Sequence, residues 1–145
     1  MKIDYAKDCN LENWMRLLEL VKDYFPGLNL DEYRKALCQS IIKKEALIAE
    51  DHNGKLAGEL IFSRENSELA FLAVHPDYQK QGIATKLIKH MLSLFPKGTN
   101  LRVITYRKED SKGIAARKLY RNIGFTEGKL ITVFDYPCQE LNYII

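Results

Sequence analysis

The segment Gln79-Lys80-Gln81-Gly82-Ile83-Ala84 has residue types and a position that suit an anion-binding loop. It follows an apolar run that ends at His75-Pro76, and it precedes apolar residues at helical spacing. The first turn of a helix exposes unpaired N–H groups and carries partial positive charge, so it attracts phosphate. Gly82 lets a ligand approach the backbone, and Lys80 adds positive charge. From these residues alone, an anion site and a plain turn that needs Gly82 only for its backbone angles both remain open.

The elements that would hold this loop follow from changes of hydrophobic period along the chain. Helical spacing predicts four helices, the first of them after Asn10 as N-cap and ended by Pro26-Gly27. Alternating or continuous apolar runs predict the strands, with a hairpin at Asn53-Gly54. The expected helices cover residues 11–25, 31–44, 83–95 and 114–123, and the expected strands cover 1–5, 46–50, 56–63, 68–74, 101–106, 125–136 around Gly128, and 141–145.

This order of strands and helices predicts an α/β (α+β) fold in which helices pack on a central sheet. The run Glu68–Val74, directly before the loop, is apolar on both of its faces. Such a run is typical of a central strand, so we expect it to be buried on both sides. The candidate anion loop would then lie at the end of the innermost strand.

Length and composition set the broad class of the protein. With 145 residues, of which 46% are hydrophobic, the chain predicts a single domain over residues 1–145. The net charge of +3 is too small to indicate nucleic-acid binding, so no nucleic-acid partner is expected. No apolar run approaches the roughly 18 residues of a membrane span, so no membrane partner is expected. Three separated cysteines without CxxC spacing indicate free thiols, which favour a cytoplasmic location.

Two blocks of the chain resemble the GNAT superfamily of N-acetyltransferases. Val74-His-Pro-Asp-Tyr-Gln-Lys-Gln-Gly82-Ile-Ala84 is similar to the acyl-CoA-binding motif of that family, Q/R-x-x-G-x-G/A. A later block, Ala116-Arg-Lys-Leu-Tyr120-Arg-Asn-Ile-Gly124-Phe125, resembles the family segment A-x-x-L-Y-x-x-x-G-F. The resemblance implies a GNAT-like fold: a mixed, mostly antiparallel central sheet, splayed at its middle, with helices on both faces.

The resemblance also implies site residues and a co-substrate. Acetyl-CoA would place its pyrophosphate on the loop amides and its pantetheine arm along the preceding strand, and no metal would be required. Tyr120 matches the tyrosine that protonates the departing thiolate, and Glu68 matches a general-base glutamate that acts through a water. A packing role for Tyr120 and a solvated-turn role for Glu68 are the structural alternatives. The implied acetyl-CoA-binding residues are Leu72, Ala73, Val74, Gln79, Lys80, Gln81, Gly82, Ile83, Ala84 and Thr85.

The expected activity is transfer of an acetyl group from acetyl-CoA to a primary amine by direct attack in a ternary complex. A small-molecule amine is favoured over a protein N-terminus or lysine, because a short chain has little room for an extended peptide-binding surface. A non-catalytic acyl-CoA-binding or sensing module stays open as an alternative. One departure supports it: many family members carry asparagine seven residues before the tyrosine, where this chain has Gly113.

Overall fold

A computed structural model describes all 145 residues of the protein as one seven-stranded sheet with four α-helices. The strand order is β1-β2-β3-β4-β5-β7-β6, and only the β4–β5 pair is parallel. The expectation of a mixed, mostly antiparallel sheet is confirmed. The elements are β1 (Lys2–Tyr5), α1 (Leu11–Val21), α2 (Leu30–Ile42), β2 (Ala46–Glu50), β3 (Leu56–Ser63), β4 (Glu68–Val74), α3 (Ile83–Leu92), β5 (Asn100–Tyr106), α4 (Ile114–Ile123), β6 (Thr126–Val133) and β7 (Tyr136–Ile144).

Helix α1 begins at Leu11, directly after Asn10, as expected, but the two early helices are capped differently from the sequence expectation. Asn10 does not cap α1 with its side chain; its Oδ1 accepts the Lys7 N–H at 2.7 Å instead. Helix α2 begins one residue before Asp31, because the Asn29 side chain accepts the Glu32 N–H at 3.0 Å and so caps the helix. None of the four helices has the length and apolar character needed to cross a bilayer.

The sheet separates two apolar clusters. Helices α3 and α4 pack on one face with 17 buried residues, including Leu87, Met91 and Tyr120. Helices α1 and α2 cover β2, β3 and β4 on the other face with ten buried residues, among them Trp14 and Leu37. This arrangement confirms the expected helices on both faces of the sheet.

The expectation that β4 is buried on both sides is wrong. It is the fourth strand of seven, but only Leu69 and Ala73 are buried, and Ala70 is exposed. The reason is that β4 and β5 pair at only two positions, Glu68 with Arg102 and Leu69 with Val103. Beyond those pairs the two strands diverge, so the rest of β4 has a sheet neighbour on one side only. The apolar sequence of β4 therefore belongs to a strand in the middle of the sheet that is only partly buried, because the gap leaves one of its edges open.

The C-terminal hairpin turns at a different place from the one predicted. The turn is Phe134-Asp135, whose φ angles of 48° and 64° are both positive, as a two-residue hairpin turn of type I′ requires. Gly128 lies inside β6, where the ladder with β7 is irregular between Glu127 and Leu130. A Cβ atom at Gly128 would approach the Glu140 carbonyl oxygen to 2.8 Å, so glycine allows close strand contact there. The final strand therefore begins at Tyr136 rather than at residue 141.

Candidate active site

The gap between β4 and β5 exposes unpaired backbone groups of β4. The His75 N–H donates to the Ala57 carbonyl of β3 at 2.8 Å. Because N–H and C=O directions alternate along a strand, Ala73 also directs its backbone groups toward β3. Leu72 and Val74 therefore direct theirs into the gap, where β5 no longer pairs. An extended molecule that carries amide groups could hydrogen-bond to this edge as an additional strand would.

The candidate anion loop lies at the end of the same strand. A 3₁₀ turn over Pro76–Tyr78 leads into it, and α3 begins at Ile83. Gly82 is the N-cap of α3 with φ of 78°, and Lys80 also has a positive φ, 62°. Positive φ is uncommon for a residue other than glycine, and it costs on the order of 1 kcal/mol. The loop conformation is therefore held by its surroundings rather than by local preference.

The loop presents a continuous row of free N–H donors. No backbone N–H group of residues 79–85 donates to a backbone carbonyl; the next amide, that of Lys86, bonds to the Gly82 carbonyl at 3.0 Å. No side chain caps α3, and its first turn holds no acidic residue. A Cβ atom built on Gly82 would meet no atom within 4 Å, so the space above the loop is open. These donors and this space suit a phosphate group.

The loop and Tyr120 share one face of the molecule. Tyr120 lies on α4 with 7% of its surface exposed, and its ring is 5.5 Å from that of Phe125. Leu72, Val74 and Tyr78 pack against the same apolar cluster. Burial raises the pKa of Tyr120 to about 12, so the phenol carries its proton at neutral pH. Tyr120 is thus both a core residue and a protonated group on the loop side of the gap.

Glu68 lies at the closed end of the gap, on the opposite face of the sheet. It pairs with Arg102 of β5, and Arg102 Nη2 donates to Glu68 Oε2 at 3.1 Å. Neighbouring Leu69 and Val103 point to the α3–α4 face, so Glu68 and Arg102 point to the α1–α2 face. The structure therefore places Glu68 and Tyr120 on opposite faces of the sheet, and their side chains do not form one cluster.

A group of residues that sequence reasoning did not assign to the site lies beside the C-terminal end of β5. A cavity of about 350 Å³ is lined by Arg107, Glu109, Asp110, Tyr136 and Pro137. The Tyr136 hydroxyl donates to Asp110 Oδ2 at 2.6 Å, and this bond lowers the pKa of Asp110. Arg107 donates to the carbonyls of Cys138 and Ile131, at 3.1 and 3.2 Å. The charged residues of the loop 107–113 stand next to one another in the sequence, but their contact with the β6–β7 hairpin joins distant segments and has no local signature.

Gly113, at the position where many family members have asparagine, is fixed by its neighbour Tyr106. It is buried, and a Cβ atom there would lie 2.9 Å from Tyr106 Cβ and 3.3 Å from the Tyr106 carbonyl oxygen. The N-terminal end of the adjacent turn is capped by Asp110, whose Oδ1 accepts the Lys112 N–H at 3.0 Å. The departure from asparagine therefore has a steric cause in this chain.

Solved structures with this fold include several acetyltransferases. A GNAT-family acetyltransferase from Bacillus cereus superposes with a TM-score of 0.80 at 17% identity, covering 99% of this chain and 96% of that one. The NatB acetyltransferase complex bound to CoA and MES superposes with a TM-score of 0.75 at 13% identity, covering 100% of this chain and 99% of that one. A chimera of spermidine N-acetyltransferase SpeG from Vibrio cholerae and hSSAT superposes with a TM-score of 0.70 at 17% identity, covering 99% of this chain and 96% of that one. At these identities the likeness establishes the fold.

Sequence comparison gives two further results. The chain is 26% identical over 126 residues to ATP synthase subunit delta of Prochlorococcus marinus strain MIT 9301, a match that covers 83% of this chain and spans 63% of that protein's length. This identity is too low to assign a family, and no feature of the site depends on it. Residues 43–127, more than half of the chain, match the acetyltransferase (GNAT) domain. That segment contains β4, Tyr120 and the loop of residues 79–85, which we call the free-amide loop. The chain therefore belongs to the GNAT acetyltransferase family.

Proposed function

We propose that this protein transfers an acetyl group from acetyl-CoA to a primary amine, and that the amine belongs to a small molecule. The observation that carries the proposal is the row of free N–H groups over residues 79–85, at the end of a strand whose open edge faces a gap. Acetyl-CoA has a pyrophosphate that suits the first feature and an amide-bearing arm that suits the second. The co-substrate supplies the activated acetyl thioester.

The binding roles follow from the directions of the backbone groups. The N–H groups of Gln79 to Thr85 would hold the pyrophosphate, with Lys80 adding positive charge. The backbone groups of Leu72 and Val74 would pair with the pantetheine arm. Ala73 directs its backbone toward β3, so it would shape the gap only through its side chain, which is buried.

Tyr120 and Glu68 would manage the protons. The Tyr120 phenol is neutral because burial raises its pKa to about 12. It would donate a hydrogen bond to the sulfur as negative charge develops there, which favours departure of the thiolate. Glu68 has Oε2 bound by Arg102 at 3.1 Å, and its other oxygen, Oε1, would accept the proton of the amine through a water.

The small-molecule preference is supported by the volume and the lining of one cavity. The cavity of about 350 Å³ beside the end of β5 falls within the usual range for small ligands, roughly 300–1,000 Å³. Its lining includes the carboxylates of Glu109 and Asp110, which can contact an ammonium group, and the Tyr136 ring already has the Lys112 ammonium 5.0 Å from its centroid. The similarity in fold to the spermidine N-acetyltransferase chimera supports a small amine as the acceptor.

Release of free CoA thiol in the presence of a panel of amines tests the proposal. An enzyme should release thiol with at least one amine, and Tyr120→Phe should lower kcat by about 100-fold, the usual weight of a general acid, while the Kd for acetyl-CoA stays within about twofold. Glu68→Gln should lower kcat/KM more at neutral pH, where the amine is largely protonated and needs a base, than at high pH, where the amine is already neutral. Acetyl-CoA binding without thiol release from any amine would contradict catalysis and favour the sensing module.

A further inference from the structure

The conformation of the free-amide loop depends on its two ends. Residues 79–85 make no backbone hydrogen bonds of their own through N–H, so they have little internal structure to hold them. On the C-terminal side, the buried Ile83, Leu87 and Ile88 fix α3 to the sheet. On the N-terminal side, the loop is joined to the 3₁₀ turn Pro76–Tyr78. The position of that turn therefore determines where the loop amides point.

Tyr78 ties the turn to the β2–β3 hairpin. Its hydroxyl donates to Asp51 Oδ2 across 27 positions of sequence. The other oxygen of Asp51, Oδ1, accepts the N–H groups of Asn53 and Lys55 at 2.9 and 2.8 Å, which fixes the carboxylate within the hairpin. These hydrogen bonds lower the pKa of Asp51, so the carboxylate is ionised at neutral pH. The bond from Tyr78 is thus charge-assisted and has a rigid acceptor.

The other contacts of the turn are weaker. Lys55 Nζ lies 3.2 Å from Asp77 Oδ2 and 5.4 Å from the centroid of the Tyr78 ring. The Asp77 side chain is 69% exposed and that of Lys55 is 48% exposed, and exposed pairs of this kind contribute little. His75 Nδ1 accepts the Asp77 N–H at 3.1 Å, which is a bond within the turn itself. Besides the packing of the Tyr78 ring on the apolar cluster, the Asp51–Tyr78 bond is therefore the main side-chain hydrogen bond between the turn and the sheet.

From this geometry we infer that Asp51 and Tyr78 are a positioning pair, which holds the 79–85 loop in the conformation that receives the pyrophosphate of acetyl-CoA. The inference rests on the proposed function of that loop. A loop that is ordered before binding loses less conformational entropy when the ligand arrives. Loss of the pair should therefore weaken acetyl-CoA binding, even though neither side chain needs to touch the ligand.

Calorimetric titration with acetyl-CoA of Tyr78→Phe, Asp51→Asn and the double variant tests the inference. Asn at position 51 keeps one oxygen for the hairpin amides but presents a neutral amide to the phenol. Each single change should raise the Kd about tenfold, as loss of one charge-assisted bond would. The double variant should bind no more than about tenfold more weakly than wild type, because both changes break the same bond.

Tyr33→Phe is the matched control. Its hydroxyl accepts a hydrogen bond from Trp14 Nε1 at 2.9 Å, so the same change also breaks a tyrosine hydrogen bond, but in the α1–α2 packing. It should leave the Kd for acetyl-CoA within about twofold of wild type. If Tyr78→Phe lowers the melting temperature but binds acetyl-CoA like wild type, the pair is merely structural and the inference is overturned. If the wild-type protein itself does not bind acetyl-CoA, the proposed function fails instead.

Discussion

The buried carboxyl group of Glu59 should make the stability of this protein fall as pH rises. Glu59 lies on β3 between Ile48 of β2 and Ala73 of β4, with no exposed surface, and neither of its carboxyl oxygens has a hydrogen-bond partner. Burial raises its pKa from the usual value of 4.5 to about 10. The folded protein therefore keeps a proton on this group that the unfolded chain releases above pH 4.5.

The size of the effect follows from proton linkage. Below pH 4.5 both states bind the proton, so Glu59 costs no stability through ionisation. From pH 4.5 to about pH 10 only the folded state binds it, and each pH unit lowers the free energy of unfolding by about 1.4 kcal/mol. Between about pH 5 and pH 8 the loss is about 4 kcal/mol, which is a large part of the usual 5–15 kcal/mol of a domain.

Urea unfolding of wild type and of Glu59→Gln at about pH 5 and pH 8 measures this slope. Gln has a similar shape and no titrating proton, so subtracting its pH dependence removes the contribution of all other groups. The wild type should lose about 4 kcal/mol more than the variant over this range. Glu59→Leu, which also removes the unpaired polar atoms, should be the most stable of the three at the higher pH. Equal pH slopes for wild type and Glu59→Gln would refute the reasoning.

Two glycines should resist substitution because of their close neighbours. Gly113→Asn restores the residue that many family members carry, but it should lower the midpoint of urea unfolding by the equivalent of about 1–3 kcal/mol, since its Cβ would meet Tyr106 at 2.9 Å. Gly58→Ala should cost a similar amount, because its Cβ would lie 2.9 Å from methyl groups of both Ile83 and Leu87. Wild-type midpoints in either variant would contradict the packing described for that glycine.

Most elements of the fold could be predicted because their patterns are local. Helix α4 begins and ends where the apolar spacing and Gly124 place it, and β2 and β3 flank the Asn53-Gly54 turn as expected. The β6–β7 turn could not be predicted because Phe134 adopts a positive φ that its residue type disfavours. The burial of β4 was also misjudged, since the gap beside it is a property of tertiary pairing that no single strand records.

For the candidate site, the sequence identified the loop but not what holds it. The spacing of Gln79, Gly82 and Ala84 predicts an anion-binding turn through its resemblance to the acyl-CoA-binding motif. The bond from Tyr78 to Asp51 joins distant segments and has no local signature in the sequence.

The buried Glu59, by contrast, does have a local signature. It is a single carboxylate within the apolar run Leu56–Ser63, and burial of such a group is costly unless it is paired, so the residue stands out in the sequence.

Calorimetric titration of the wild-type protein and of Gly82→Trp with acetyl-CoA tests the central claim most directly. The space above Gly82 is open, so an indole there would fill the position proposed for the pyrophosphate. Gly98→Trp is the matched control, because Gly98 also has a positive φ, 91°, and open space, but it follows the other end of α3. We predict micromolar binding by wild type and Gly98→Trp and none by a folded Gly82→Trp. Failure of folded wild-type protein to bind acetyl-CoA, or undiminished binding by Gly82→Trp, would contradict the claim.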